Sequence, residues 1–187
     1  AGPNQGIILP TAPRQALALL GIQTAPFPAA FYQFTQNSDF IQALNRDDET
    51  PGDIDYTVLY TQFDELIQPA APFPAGALEF GQTNPKRVNI LLQDTCPGRL
   101  VEHGSIGFFD GLSMALVFDA LSHDGPADVE RAGGKTLCGL PVLGSAVFAK
   151  DAAPLALDAF VLSNFSQGVQ GLGLSQGEPP LMDYAKQ

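Results

Sequence analysis

Apolar residues fall along this chain in short blocks punctuated by proline and glycine, and the blocks are of two kinds. Some have helical character. Thr11 is placed as an N-cap with Pro13 near the first helical position and Leu17, Ala18 and Leu20 on one face, a helix that Ala25-Pro26-Phe27-Pro28 breaks. Ser38 caps a second, with Phe40, Ile41 and Leu44 on one side and the polar run Asn45 to Thr50 after it. Asp110 is placed to cap a long apolar helix from Gly111 to about Leu121, and Asp151 another through Leu155, Leu157, Phe160 and Val161. The other blocks read as strands. After a turn at Pro51-Gly52 comes Tyr56-Thr57-Val58-Leu59-Tyr60, aromatic and β-branched; after a Pro/Ala loop comes Val88 to Gln93. Neither strand alternates cleanly, so both are expected to be covered on two faces, the habit of parallel sheets. Strands separated by helices make the class α/β. Two strong strands are few for a chain of this size, so the sheet is expected to be incomplete, with apolar faces and unpaired edges that need neighbours.

Composition narrows what such a fold can do. The chain has 187 residues, 45% of them hydrophobic and 16% charged, enough for one sizeable core and too apolar for disorder. A formal net charge of -11 repels phosphate backbones, so nucleic-acid binding is not expected. The same charge disfavours docking on anionic lipid and leaves apolar contact as the route to a lipid–water interface. No apolar run approaches the roughly 20 residues that span a bilayer. The opening Ala1-Gly2-Pro3-Asn4 carries neither an initiator Met nor a charged-then-apolar leader, which leads us to expect a processed or trimmed N-terminus. No internal repeat is present. Cys96 and Cys138 are read from spacing alone either as free thiols or as a pair.

Candidate chemistry lies after each strand, where parallel sheets gather functional side chains. Asp64 follows the first strand and His103 the second. An acid followed later by a histidine is the tail of the hydrolase order nucleophile, acid, base. The residue types suit the task. Attack by a serine needs a base that titrates near neutral pH, and a fixed carboxylate to orient the imidazole and stabilise its cation. Taken singly, Asp64 reads equally as a turn or cap residue and His103 as a solvated side chain in a glycine-containing loop. Gly173-Leu174-Ser175-Gln176-Gly177 fits G-x-S-x-G, but no strand precedes it, Glu178-Pro179-Pro180 cannot open a helix after it, and it follows the histidine; Ser175 is therefore not expected to be the nucleophile. Gly171-x-Gly173 lacks the strand and acidic partner of a dinucleotide site. His103-Gly104-Ser105-Ile106-Gly107 has histidine where the first glycine belongs, and Ser105 is expected to steady the histidine loop. Two histidines and two separated cysteines form no metal-ligand spacing, so no metal and no cofactor are expected. Asn164-Phe165-Ser166 is a glycosylation sequon, and Asp47-Asp48-Glu49 reads as a solvated loop.

Several segments in register resemble the lipase B family typified by the Candida antarctica enzyme, a compact α/β-hydrolase. They are Ser38 to Leu44, Leu59 to Pro69 around Asp64, Cys96 through His103-Gly104-Ser105, Cys138-Gly139-Leu140-Pro141, and the closing Glu178 to Ala185. The resemblance spans most of the chain, and Asp64-Glu65-x-x-Gln68-Pro69 is its most specific part. It implies that Asp64 is a triad acid and His103 the base, and that Cys96 and Cys138 form a disulfide, which goes with an oxidising, secreted setting. It also places Leu66 and Ile67 on an apolar substrate channel, for which ordinary core packing is the alternative, and Gln33 at a polar pocket floor. The segment from Asp151 to Val161 falls where the family has a mobile apolar helix at the pocket mouth.

The resemblance begins downstream of the family's nucleophile elbow. It implies the C-terminal portion of an α/β-hydrolase sheet with flanking helices, incomplete without the N-terminal strands. Residues 1–187 then form one partial domain: a helical cap or lid-like region over 1–50, core strands with the acid and base over 51–125, and C-terminal loops and helix over 126–187. The expected function is carboxylic-ester or lipid hydrolysis by a Ser-His-Asp mechanism. The serine and oxyanion hole would come from the N-terminal half of the same enzyme as a second chain. The alternative is a non-catalytic binding or assembly subunit that keeps the fold without the chemistry.

Overall fold

The computed structural model describes residues 2–8, 27–64, 66–142, 174–175 and 177–186. The helices expected after Thr11 and Asp151, and the sequon at Asn164, lie outside the described residues. Strand β1 (Phe27–Pro28) leads into helix α1 (Ala29–Gln33), and α2 (Asp39–Leu44) follows. The main sheet is β2 (Tyr56–Tyr60) paired with β3 (Arg87–Leu91), after which come short helices α3 (Leu92–Thr95) and α4 (His103–Phe108). Helix α5 (Gly111–Ser122), α6 (Val129–Ala132) and a 3-10 turn (Gly134–Gly139) pack beside it, while β4 (Leu174–Ser175) pairs antiparallel with β1. A second 3-10 turn covers Asp183–Ala185.

The caps form as local chemistry dictates. Ser38 Oγ accepts from the Ile41 backbone N–H at the start of α2, and the Asp110 carboxylate accepts from Ser113 N–H at the start of α5, each satisfying a donor that a helix N-terminus leaves open. β2 and β3 are parallel, in register from Tyr56↔Arg87 to Tyr60↔Leu91. They differ from the expected double burial: Val58 and Tyr60 are buried, as are Arg87 and Ile90, while the other strand residues are half-buried. A two-stranded sheet leaves each strand one unpaired edge, so part of each face stays open.

A parallel pair needs a crossover, usually a helix. Among the described residues the connection here is irregular chain, held by side chains of β3. Asn89 Nδ2 donates to the Leu78 carbonyl (2.7 Å), and its Oδ1 accepts from Leu78 N–H (3.0 Å). The Arg87 guanidinium donates to the Leu78 and Gln82 carbonyls and pairs with Glu79 at 3.1 Å. Glu49, expected to be solvated with Asp47 and Asp48, instead accepts from Gln5 Nε2 and from the Glu79 N–H. That tie fastens the polar run after α2 onto the crossover, which a sequence pattern of successive acids cannot reveal.

β3 ends two residues before Gln93, the expected end of that strand: Cys96 N–H donates to the Leu92 carbonyl (2.9 Å), so the chain turns helical at Leu92. His103 differs likewise. Expected in a loop, it opens α4, where Ile106 N–H reaches the Glu102 carbonyl and Ser105 Oγ donates to the Glu102 carboxylate. The core gathers Ile90, Leu92, Cys96, Val101, Ile106, Leu112, Leu116, Ala127 and Leu137. Burying each of the larger of these side chains is worth about 1.5–3 kcal/mol. Leu112 and Leu116 turn one face of α5 into that core. The opposite face carries Met114, Val117, Phe118 and Leu121 at helical spacing, all exposed, Leu121 by 80%.

Candidate active site

Asp64 sits at the end of the short turn that follows β2, and His103 is the first residue of α4, after the loop that follows β3 and α3. Because β2 and β3 are parallel and adjacent, both segments leave the sheet at the same end. His103 Nδ1 lies 3.0 Å from Asp64 Oδ2 and 3.1 Å from Oδ1. A carboxylate only accepts, so Nδ1 carries the proton that joins them. Asp64 is 2% exposed and the His103 side chain 31%, which puts the acid inside and the base at the rim.

The carboxylate is held from its own loop as well. Oδ1 accepts the backbone N–H of Leu66 (2.9 Å) and of Ile67 (2.7 Å), and Gln68 Nε2 donates to the Asp64 carbonyl. Burial pushes the Asp64 carboxyl up. The hydrogen bond from His103, the Ile67 N–H, the His103 charge and the Leu66 N–H together outweigh it and hold Asp64 below its ordinary value. Leu66 and Ile67 therefore stand beside the acid through their backbones. The Leu66 side chain is exposed, while Ile67 Cγ2 comes within 3.8 Å of where a Cβ on Gly76 would stand, so part of Ile67 is spent on loop packing. Gln33 ends α1, where its carbonyl accepts from Ser38 Oγ (2.7 Å); no hydrogen bond among the described residues joins it to the Asp64–His103 pair.

The approach to His103 is braced by a buried ion pair whose arginine does not stand out in the sequence. Arg99 and Asp110 form a buried ion pair, 2.6 Å from the guanidinium to Oδ1, with exposures of 6% and 0%. Arg99 also donates to the Leu140 and Cys138 carbonyls, while Asp110 Oδ2 accepts from both the N–H and the hydroxyl of Ser113. Cys96 and Cys138 are joined in a disulfide that closes the same corner. Asp110 was legible as a helix cap; its pairing with an arginine eleven residues earlier was not. Ser175 Oγ donates to the Gly177 carbonyl (2.6 Å) and accepts from Gly177 N–H, so that hydroxyl is spent on a turn. Among the described residues no group of three or more His, Cys, Asp or Glu side chains is placed to hold a metal ion. No helix among them is long and apolar enough to cross a membrane.

No protein-family model matches this sequence, and none of the curated proteins does. The fold does have a likeness. It superposes on the crystal structure of Aspergillus fumigatus lipase B with a TM-score of 0.73 and 24% identity, over 98% of this chain. The chain spans 42% of the length of that lipase. At this identity the likeness concerns the fold, and the two-stranded parallel sheet with its helices is part of a lipase-like, α/β-hydrolase-like fold.

Proposed function

We propose that this chain supplies the acid and the base of a secreted serine lipase or esterase, a member of the lipase B family, with Asp64 and His103 as those two residues. The observation that carries the reading is the Asp64–His103 contact: a buried carboxylate, held by two backbone N–H groups, bonded to Nδ1 of a half-exposed imidazole. That bond leaves Nε2 as the catalytic nitrogen. A serine hydroxyl gives its proton to Nε2 as its oxygen bonds to the ester carbonyl carbon. The proton passes to the departing alkoxide when the carbon–oxygen bond breaks, and water then repeats the cycle to release the acid. Asp64 keeps the imidazole in the productive tautomer and stabilises its cation. The exposed Leu66 beside the acid suits a fatty acyl or hydrophobic alcohol group. Ile67 and Gln33 are assigned to the same pocket on the resemblance alone.

The nucleophile and oxyanion hole belong, in this reading, to the N-terminal half of the same enzyme as a second chain. One feature fits it: α5 carries an apolar stripe on its outer face that a further layer would cover. A fluorophosphonate probe applied to the native preparation tests the whole. Labelling of a serine on a polypeptide other than these 187 residues is expected, and it should disappear in His103→Ala. No labelling anywhere would leave only a non-catalytic assembly subunit. Labelling of Ser175 would refute the two-chain arrangement.

A further inference from the structure

We propose that Gln93 is a positioning residue for the Asp64–His103 pair, a bridge that sets the distance between the segment carrying the acid and the segment carrying the base. The inference rests on the dyad reading above and goes a step further, to what holds the dyad at bonding distance.

The geometry is complete. Gln93 is buried in α3, its backbone anchored between Leu92 and Cys96, both in the core. Its amide reaches both segments at once. Nε2 donates to Thr61 Oγ1 (2.9 Å) on the acid side and to the Arg99 carbonyl (2.7 Å) on the base side, and Oε1 accepts from Gln62 N–H (3.0 Å). Thr61, fully buried, doubles the link: its hydroxyl donates to the Val101 carbonyl (2.8 Å) and accepts from Phe63 N–H (3.2 Å). The last two N–H groups before Asp64 are thus pinned, as are two of the carbonyls on the approach to His103. Among the described residues the side chains of Gln93 and Thr61 bridge the two segments, and each of their polar atoms has a partner.

The residue type matters. The site requires two donated hydrogens and one accepted hydrogen from a single planar group, which among side chains only an amide provides. A glutamate would turn carboxylate oxygens toward the Arg99 carbonyl, and a shorter asparagine would not span the gap. A bridge of this kind shifts the dyad as a unit. Misplacement of about 1 Å between reacting groups can cost about 100-fold in turnover, so the scaffold that fixes the spacing belongs to the catalytic design.

The test is Gln93→Met in the native preparation; it keeps the side-chain length and removes all three hydrogen bonds. Two readouts are taken together: the thermal midpoint, and the titration of the Asp64 carboxyl followed by carbon-13 NMR. If Gln93 positions the dyad, loss of the bridge lengthens the His103 contact while Asp64 stays buried, so the Asp64 titration moves up toward the ordinary carboxylate range. A residue that only fills the core would lower the thermal midpoint and leave the Asp64 titration in place, which would overturn the proposal. Should Gln93→Met fail to fold, Thr61→Val cuts the same bridge more gently, with Thr61→Ser as the rescuing variant. An Asp64 titration that responds to neither Thr61 variant also overturns it. Failure of the dyad reading is distinguishable, because then His103→Ala would leave the Asp64 titration of the parent unchanged.

Discussion

The Arg99–Asp110 pair is the place where one atom change should have the largest measurable effect. Asp110→Asn is the informative perturbation. Asparagine ranks with aspartate as an N-cap, so the bond to Ser113 N–H survives and the capping contribution is held nearly constant. What is lost is the charge facing a guanidinium that is 6% exposed and whose remaining partners are the neutral carbonyls of Leu140 and Cys138. Breaking a buried pair from one side costs about 3–5 kcal/mol, because the surviving charge stays out of water without compensation. Against a total stability of about 5–15 kcal/mol, that is about a fifth of it or more. For a chain of this length it lowers Tm by about 6–20 °C, at about 2–4 °C per kcal/mol. Urea unfolding followed by circular dichroism under non-reducing conditions reads the free energy, and a thermal scan gives Tm. The double variant Asp110→Asn, Arg99→Met removes both charges and should recover most of the loss. Were Asp110→Asn within about 1 kcal/mol of the parent, the pair would be screened like a surface bridge and the reasoning from burial would be refuted.

Other outcomes follow from the same geometry. Asp64→Asn presents an amide to Nδ1 and favours the wrong imidazole tautomer, so ester turnover in the assembled enzyme should fall by about 10,000-fold in kcat with little change in KM; steady-state kinetics on a soluble ester decides it. Because the folded pKa of Asp64 is depressed, its contribution to stability is present above the ordinary carboxylate value and is lost as pH falls through the folded one. Urea midpoints measured from neutral pH into acid should therefore decline less steeply in Asp64→Asn than in the parent. Opening the Cys96–Cys138 link by Cys138→Ser frees a loop with a sequence separation of 42, and the chain-entropy argument puts the loss at about 4 kcal/mol. Matched urea melts of the variant and of the parent with and without reductant would check this.

What could be read along the chain was whatever depends on near neighbours. Ser38 and Asp110 cap their helices because a side-chain oxygen reaches an N–H three residues on, and Tyr56 to Tyr60 is extended because aromatic and β-branched side chains suit a pleated surface. The acid and the base could be nominated by residue type and by their order after two strands, and the resemblance sharpened that choice. Their contact across 39 residues depends on parallel pairing in register, which no local pattern specifies. The same holds for Arg99, which in sequence is one more charge in a loop and in the fold is the buried partner of a helix cap. Gln93 looked like the last residue of a strand; the chain turns helical one residue before it, and only then does its amide face both Thr61 and Arg99. Periodicity and capping report energies that act within a turn or two, so the sequence determined the strand Tyr56–Tyr60 and the helices capped by Ser38 and Asp110, but not where β3 gives way to helix or that His103 opens one. Distances between elements come from the packing of their faces and from buried polar groups finding partners far along the chain, so the tertiary structure alone decided how the site is held.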